Sequence, residues 1–311
     1  MSESAELADL YSVIEESARL ANVTCSSDKV WPIMTAYGDM LAQSVIAFRV
    51  ATGARNAGDF ECRFTMLPKE LDPYAVALSN GLIAETDHPV GSLLGEIHRN
   101  FPIGSCGIDF GVVGGFKKTW SFFPTGGVQS LSELAGLPSM PRSLSENLDF
   151  FTRHGLADIV TLIGIDYSHR SVNLYFGRIP AECFEPDGMR SILREIGMPD
   201  PSERMLQLGG QGFGIYTTLS WDSPKIERIT YAAMTTDPMT LPVQIEPEIK
   251  QFVEKAPYST ADRQFVYAIT ASPNGEYHKL QSYYQWQPGV QHFLLASDPG
   301  ADAGAPAGTT G

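Results

Sequence analysis

The sequence predicts an α+β fold: a closed, ten-stranded antiparallel β-barrel of five repeated helix-helix-strand-strand units, with the helices ringing the outside. Three observations predict it. Paired strand patterns recur five times, roughly 50–60 residues apart, each preceded by helical periodicity. The two strands of each pair are joined by short connections, which implies antiparallel pairing and excludes a βαβ plan. Ten strands in one open sheet would leave two long unpaired edges, and closure removes them.

Taken in order, residues 4–21 place Leu7, Leu10, Tyr11, Ile14 and Ala18 at helical spacing, and a second helix covers about 28–41. Strands follow over 44–52 and 60–67. Helices return over 72–82 and 89–100, the latter after Asp87 with Pro89 in its first turn. Segments 106–113 and 116–123 form a hairpin about Gly114-Gly115, a strong local turn signal. Helices over 127–135 and 143–154 lead to strands 157–167 and 170–177, joined near Ser168-His169. Helices over 185–197 and 200–207 precede strands 212–221 and 225–235. A helix over 246–254 precedes strands 263–272 and 276–285, and a short helix near 288–295 closes the fold. Residues 1–296 therefore read as one barrel domain. The tail 297–311, rich in Asp, Gly, Ala and Pro, is expected to be disordered.

The 311 residues carry a formal charge of −14, from 36 acidic and 22 basic side chains. That balance argues against a nucleic-acid partner and against docking on anionic lipid, both of which need basic stripes. No apolar run reaches membrane-spanning length, and the acidic, helical N-terminus is unlike a signal peptide. Cys25, Cys62, Cys106 and Cys183 form no CxxC pair and read as small buried hydrophobes in a reducing compartment. A cytoplasmic monomer is expected.

Side chains alternate across a strand, so each strand offers two faces. One face carries Lys118, Trp120 and Phe122 in 116–123, Asn173 and Tyr175 in 170–176, and Arg228, Thr230 and Ala232 in 225–234. The same pattern puts Lys279, Gln281 and Tyr283 together, Glu61 with Arg63 and Thr65, and Arg49 between Ala47 and Ala51. The opposite faces are aliphatic and need dry helices to pack on, so the mixed faces point into the lumen. At least one basic side chain lies near every hairpin: Arg49 and Arg63, Lys118, His169, Arg228, and Lys279. Buried cations without counter-charge are costly, so a lumen gathering Lys118, Arg228 and Lys279 is expected to be built around a bound polyanion. Trp120, Tyr175, Phe213, Tyr216 and Tyr283 accompany them, which suits an amphiphile with a hydrocarbon tail, whereas Phe122 and Phe123 read as core filling. The glycines 209–214 do not fit GxGxxG, there is no HExxH, Walker or DDxxD motif, and the histidines show no metal-ligand spacing.

The segments GGFKKTWSFFPT (114–125), IDYSHRSVNLYF (165–176), FGIYTTLSWDSPKIERI (213–229) and EYHKLQSYY (276–284), with DPYAVALSNGL (72–82) and LPSMP (137–141), resemble the NphB/CloQ group of aromatic prenyltransferases. The resemblance covers nearly the whole chain outside the tail and implies the ABBA, or PT, barrel with its active site in the lumen. It implies a prenyl transfer from dimethylallyl or geranyl diphosphate to an electron-rich aromatic acceptor, a hydroxynaphthalene or naphthoquinone being favoured over phenazines and phenolic acids. Lys118, Asn173, Tyr216, Arg228 and Lys279 match diphosphate-binding positions, with Arg49 and Arg63 at basic positions of metal-independent members. Tyr175, Phe213 and Tyr283 match positions flanking the prenyl chain and acceptor, and Trp120, Thr161 and Ala232 fall at further acceptor-pocket positions. Lys118, Arg228, Lys279, Tyr175 and Tyr283 would carry the catalytic work. His169 falls at a further diphosphate-binding position, where the best-known member has Lys, so that phosphate contact is expected to be weaker or pH-dependent. Where the Mg-dependent member has a metal-binding Asp, this chain has Glu61 or Cys62; metal independence is favoured, since guanidinium groups can replace the metal's charge, with Mg²⁺ held by Glu61 as the alternative. A non-catalytic barrel that carries a phosphorylated or aromatic small molecule is the alternative.

Overall fold

The strands alternate bulky apolar side chains with small or polar ones, and this alternation decides what each face of the sheet can pack against. The computed structural model describes residues 3–53 and 58–287. Its strands are β1 (Val45–Ala51), β2 (Glu61–Leu67), β3 (Ser105–Gly111), β4 (Gly115–Phe122), β5 (Val160–Asp166), β6 (Ser171–Phe176), β7 (Gly214–Ser220), β8 (Arg228–Thr235), β9 (Phe265–Ser272) and β10 (Gly275–Gln285). Each pairs antiparallel with its sequence neighbours, and β10 closes on β1, so the sheet is a complete barrel.

The helices lie between the hairpins: α1 (Glu3–Leu20), α2 (Ser27–Tyr37), α3 (Asp39–Ala42), α4 (Pro73–Ser79), α5 (Val90–Asn100), α6 (Leu131–Ala135), α7 (Arg142–Glu146), α8 (Leu148–Arg153), α9 (Pro186–Glu195), α10 (Glu203–Gly209) and α11 (Pro247–Lys255). Two helices expected as continuous are broken. Gly38, at φ 37°, separates α2 from α3, and Asn147, at φ −111°, separates α7 from α8. Asp72 caps α4 by accepting from the backbone N–H groups of Tyr74 and Ala75. The expected helix over 288–295 and the tail lie outside the described residues.

Between sheet and helices runs a continuous apolar layer that includes Ile14, Met34, Phe64, Leu93, Phe110, Ile163, Leu174 and Phe252, all buried. Burying one such side chain contributes about 1.5–3 kcal/mol, so this layer is what holds the helices to the barrel. Phe123 belongs to it. Phe122 does not: it packs with Trp120 and Leu162 inside the lumen, which corrects the core-filling expectation. The β3–β4 turn also sits one residue earlier than expected. Gly111 pairs with Gly115, which takes φ 76° as the first residue of β4. An extra residue is accommodated before Lys118, which pairs with Asp109.

Candidate active site

In a barrel of consecutive antiparallel strands every odd-numbered strand ends at the same rim. The five hairpin turns therefore crown one end, and the helical connections leave from the other. Residues near the turns build a polar cavity lined by Arg49, Glu61, Lys118, Asp166, His169, Asn173, Thr218, Arg228, Thr230, Tyr277 and Lys279. Deeper in the lumen lies an apolar cavity walled by Arg63, Thr65, Trp120, Phe122, Leu162, Phe213, Val266, Ala268, Gln281 and Tyr283. Arg49, Tyr175, Tyr216 and Lys279 line both cavities and form the seam between them. Beyond the polar cavity, a surface groove shares Arg228 and Tyr277 with it and gives a route to solvent.

The lumen cations are largely paired, against the expectation of cations without counter-charge. Arg63 makes two hydrogen bonds to Asp109, at 2.8 and 2.9 Å, and Lys118 sits 3.2 Å from Asp166. Arg49 pairs with Glu61, whose other oxygen is 3.3 Å from Lys117, and Arg228 lies 3.9 Å from Glu227. Lys279 is different. Among the described residues it forms no salt bridge, and its Nζ lies 5.3 Å from the Tyr277 ring centre. Burial, then the nearby Arg49, Arg228, Lys118 and Arg63, hold its pKa well below the usual lysine range. The site thus holds, among the described residues, an amine without a carboxylate partner where the two cavities meet.

A family model described as aromatic prenyltransferase Orf2 matches residues 5–292. The chain belongs to that family. It is similar to the 5,10-dihydrophenazine-1-carboxylate 9-dimethylallyltransferase of Streptomyces anulatus, 59% identical over 95% of this chain and 99% of that one. It is 51% identical to the furaquinocin biosynthesis prenyltransferase of Streptomyces sp. (strain KO-3988), with 91% of each chain covered. Its identity to the flaviolin linalyltransferase of Streptomyces virginiae is 48%, over 92% of this chain and 95% of that one. The protein is an aromatic prenyltransferase with the closed-barrel architecture expected of the resemblance, and the carrier-barrel alternative is set aside.

In this prenyltransferase, cross-strand register sets the neighbours of each group. Trp120 opposes Gly164, Gly164 opposes Asn173, Asn173 opposes Thr218, and Thr218 opposes Arg228, so one row of the sheet winds from the apolar cavity to the polar one. Thr218 donates to Asn173 Oδ1 at 2.9 Å, which leaves the buried Asn173 Nδ2 without a hydrogen-bond partner. An amide held that way offers its donors to an anion. Burial, with Arg49 adding to it, holds Lys118 below its usual range even beside Asp166. Burial likewise raises Tyr216 well above the usual phenol range and Tyr283 to about 12, so both hydroxyls stay protonated.

Other expected residues are placed less simply. Of the two cavities Arg63 lines the apolar one only, and its partner Asp109 is also the cross-strand neighbour of Lys118. His169 sits at the rim, its side chain 45% exposed, with Nδ1 3.2 Å from Asp166. The Thr161 hydroxyl donates to the Tyr175 carbonyl at 3.3 Å beside a strand irregularity, and the next residue, Leu162, lines the cavity. Ala232 is buried against the apolar end in the cluster with Tyr283 and Trp286. Cys62 faces the outer layer, where burial raises its thiol, so it is turned from the lumen. Glu61 is held between Arg49 and Lys117. Among the described residues no three acidic, His or Cys groups gather as metal ligands, and no helix is long and apolar enough to cross a membrane.

Sequence reasoning missed the two buried carboxylates. Asp109 and Asp166 were legible as charges at alternating positions in otherwise apolar or glycine-rich strands, CGIDFG and VTLIGID. Despite burial, Arg63 holds Asp109 below the usual carboxylate range, and Lys118 with His169 does the same for Asp166.

Proposed function

We propose that the chain transfers a dimethylallyl group from its diphosphate to a ring carbon of a reduced, fused aromatic acceptor of the dihydrophenazine-carboxylate class. The observation that carries this reading is the lumen's division into a cation-lined half near the hairpin rim and an aromatic half beneath it. Arg49, Lys279, Tyr175 and Tyr216 lie at the boundary. The similarity to the dihydrophenazine dimethylallyltransferase supports the acceptor and the donor length. The flaviolin relative supports the second reading, a hydroxynaphthalene acceptor.

The donor's diphosphate would lie against Lys118, Arg228, Lys279 and Arg49, with Asn173 Nδ2 and the Tyr216 hydroxyl donating to its oxygens. As the allylic C–O bond breaks, both electrons leave with the diphosphate, and these donors stabilise the growing negative charge. Tyr175, Trp120, Phe213 and Tyr283 would shield the allyl cation from water and stabilise it with their π-faces. The ring carbon of the acceptor supplies the electron pair of the new C–C bond, and the ring proton passes to the departing diphosphate or to water. Neutralisation by guanidinium and ammonium groups makes the reaction independent of metal: each lumen carboxylate is already held by a cation, so the residues present do not fit a bound Mg²⁺. The unpaired cysteines are in keeping with a cytoplasmic enzyme.

Incubating the purified protein with dimethylallyl or geranyl diphosphate and each of 5,10-dihydrophenazine-1-carboxylate, flaviolin and 4-hydroxyphenylpyruvate tests the reading by product mass. The dimethylallylated dihydrophenazine should dominate. Exclusive prenylation of flaviolin would overturn the acceptor assignment.

A further inference from the structure

Arg63 differs from the other lumen cations in the cavity it lines. Arg49 and Lys279 line both cavities and Lys118 and Arg228 line the polar one, whereas Arg63 contributes only to the wall of the apolar cavity. A cation without a counter-charge in such a chamber would be held at large desolvation cost. Asp109 meets that cost by taking the side-on edge of the guanidinium, Nε and Nη2, at 2.8 and 2.9 Å. The same carboxylate accepts the Trp120 indole N–H at 2.7 Å, and the Arg63 guanidinium lies 4.2 Å from the Trp120 ring centre. The charged plane is therefore fixed by a hydrogen-bonded edge and by a stacked ring.

A guanidinium has five N–H donors, and a side-on pair uses two of them. The end-on edge, Nη1 with the second Nη2 proton, is left. Arg63 lines the apolar cavity and Asp109 does not, so the N–H groups that Asp109 leaves unused are the ones this cavity can reach. Thr65, two residues along the same face of β2, and Gln281 supply further polar groups in that chamber. Such an end-on fork matches the two oxygens of a carboxylate.

We propose that Arg63 is a specificity-determining residue whose free edge binds a carboxylate carried by the aromatic acceptor, with Asp109 as the positioning residue that presents it. The inference rests on the acceptor reading given above and deepens it: the acceptor is an aromatic acid, held by its carboxylate against Arg63 on the wall of the apolar cavity, with its ring among that cavity's aromatic side chains.

The test compares 5,10-dihydrophenazine-1-carboxylate with its 1-carboxamide at saturating dimethylallyl diphosphate, under anaerobic conditions. The wild type should favour the carboxylate by roughly 10- to 100-fold in kcat/KM, the size of a lost charge-assisted hydrogen-bond pair. Arg63→Lys keeps a counter-charge for Asp109 but loses the fork. The double variant Arg63→Met with Asp109→Asn removes the pair together, so that no carboxylate is left buried alone. Both should erase the preference through the acceptor KM while the donor KM stays within about threefold. A donor KM raised at least tenfold with the preference intact would show that the free edge grips the diphosphate, and would overturn the proposal. Equal losses on both acceptors at unchanged donor KM would also overturn it, reducing Arg63 to a support for Trp120. If the wild type prenylates flaviolin but neither phenazine, the acceptor reading fails. Competition by phenazine-1-carboxylate against its carboxamide then decides the carboxylate subsite alone: equal inhibition by the two sinks it.

Discussion

The indole of Trp120 occupies the space that a side chain at position 164 would need: a Cβ built on Gly164 would collide with the six-membered ring of Trp120. The two residues pair across β4 and β5, and the missing side chain is what lets the large ring lie inside the barrel, 1% exposed, against the edge of Tyr175. Gly164→Ala should therefore displace Trp120. Overpacking of this kind costs about 1–3 kcal/mol. Misplacing the cavity wall should lower kcat/KM for the acceptor by roughly 10- to 100-fold. Steady-state kinetics and thermal melts check both. Trp120→Phe in the same chain should restore the melting temperature; if it does not, the ring is not what the methyl group meets.

Lys279 predicts a proton linkage. Its folded-state pKa is depressed, so between that value and the ordinary lysine pKa the unfolded chain binds more protons, and stability of the ligand-free enzyme should rise with pH across that window. A bound diphosphate supplies the missing counter-charge and should draw a proton onto the amine. Calorimetry of inorganic pyrophosphate binding at alkaline pH, in buffers of different ionisation enthalpy, should show proton uptake that Lys279→Met abolishes. Equal uptake in both proteins would refute the linkage.

Lys118 and Asp166 predict a linkage of the same sign in the acid range. Asp166 is held below the usual carboxylate range, so its contribution is fully present above the unfolded value of about 3.9 and is lost as pH falls toward the folded one. Asp166→Asn leaves Lys118 buried without its ion-pair partner, which should cost about 3 kcal/mol at neutral pH. It should also flatten the acid limb of the melting curve. Pyrophosphate should stabilise this variant more than the wild type, because Lys118 regains an anion. A variant as stable as the wild type at pH 7 would remove the pair from the argument.

Metal dependence follows from Glu61. Its carboxylate lines the polar cavity but is engaged by Arg49 and Lys117. Turnover should survive EDTA and change less than about twofold on adding Mg²⁺, since charge neutralisation rests on residues already present. A tenfold or greater loss in EDTA, restored by Mg²⁺, would show that Glu61 releases its partners for a metal.

The order of elements, the five hairpins and the face of each strand that looks inward were all legible in the chain. These are local consequences of periodicity: Ile163, Leu174 and Phe64 can only meet helices, which leaves Lys118, Asn173 and Arg63 to the lumen. Height along the barrel was not legible, because sliding a strand by two residues keeps every face and changes every neighbour. Only the closed, staggered sheet decided that Arg63 meets Asp109 at the aromatic level while Lys118 meets Asp166 near the rim. Among the described residues it also left Lys279, unlike Arg49, Arg63, Lys118 and Arg228, with no carboxylate within ion-pair distance. Composition supplies charges and alternation aims them, but which charges cancel is set by distances that exist only once the barrel has closed.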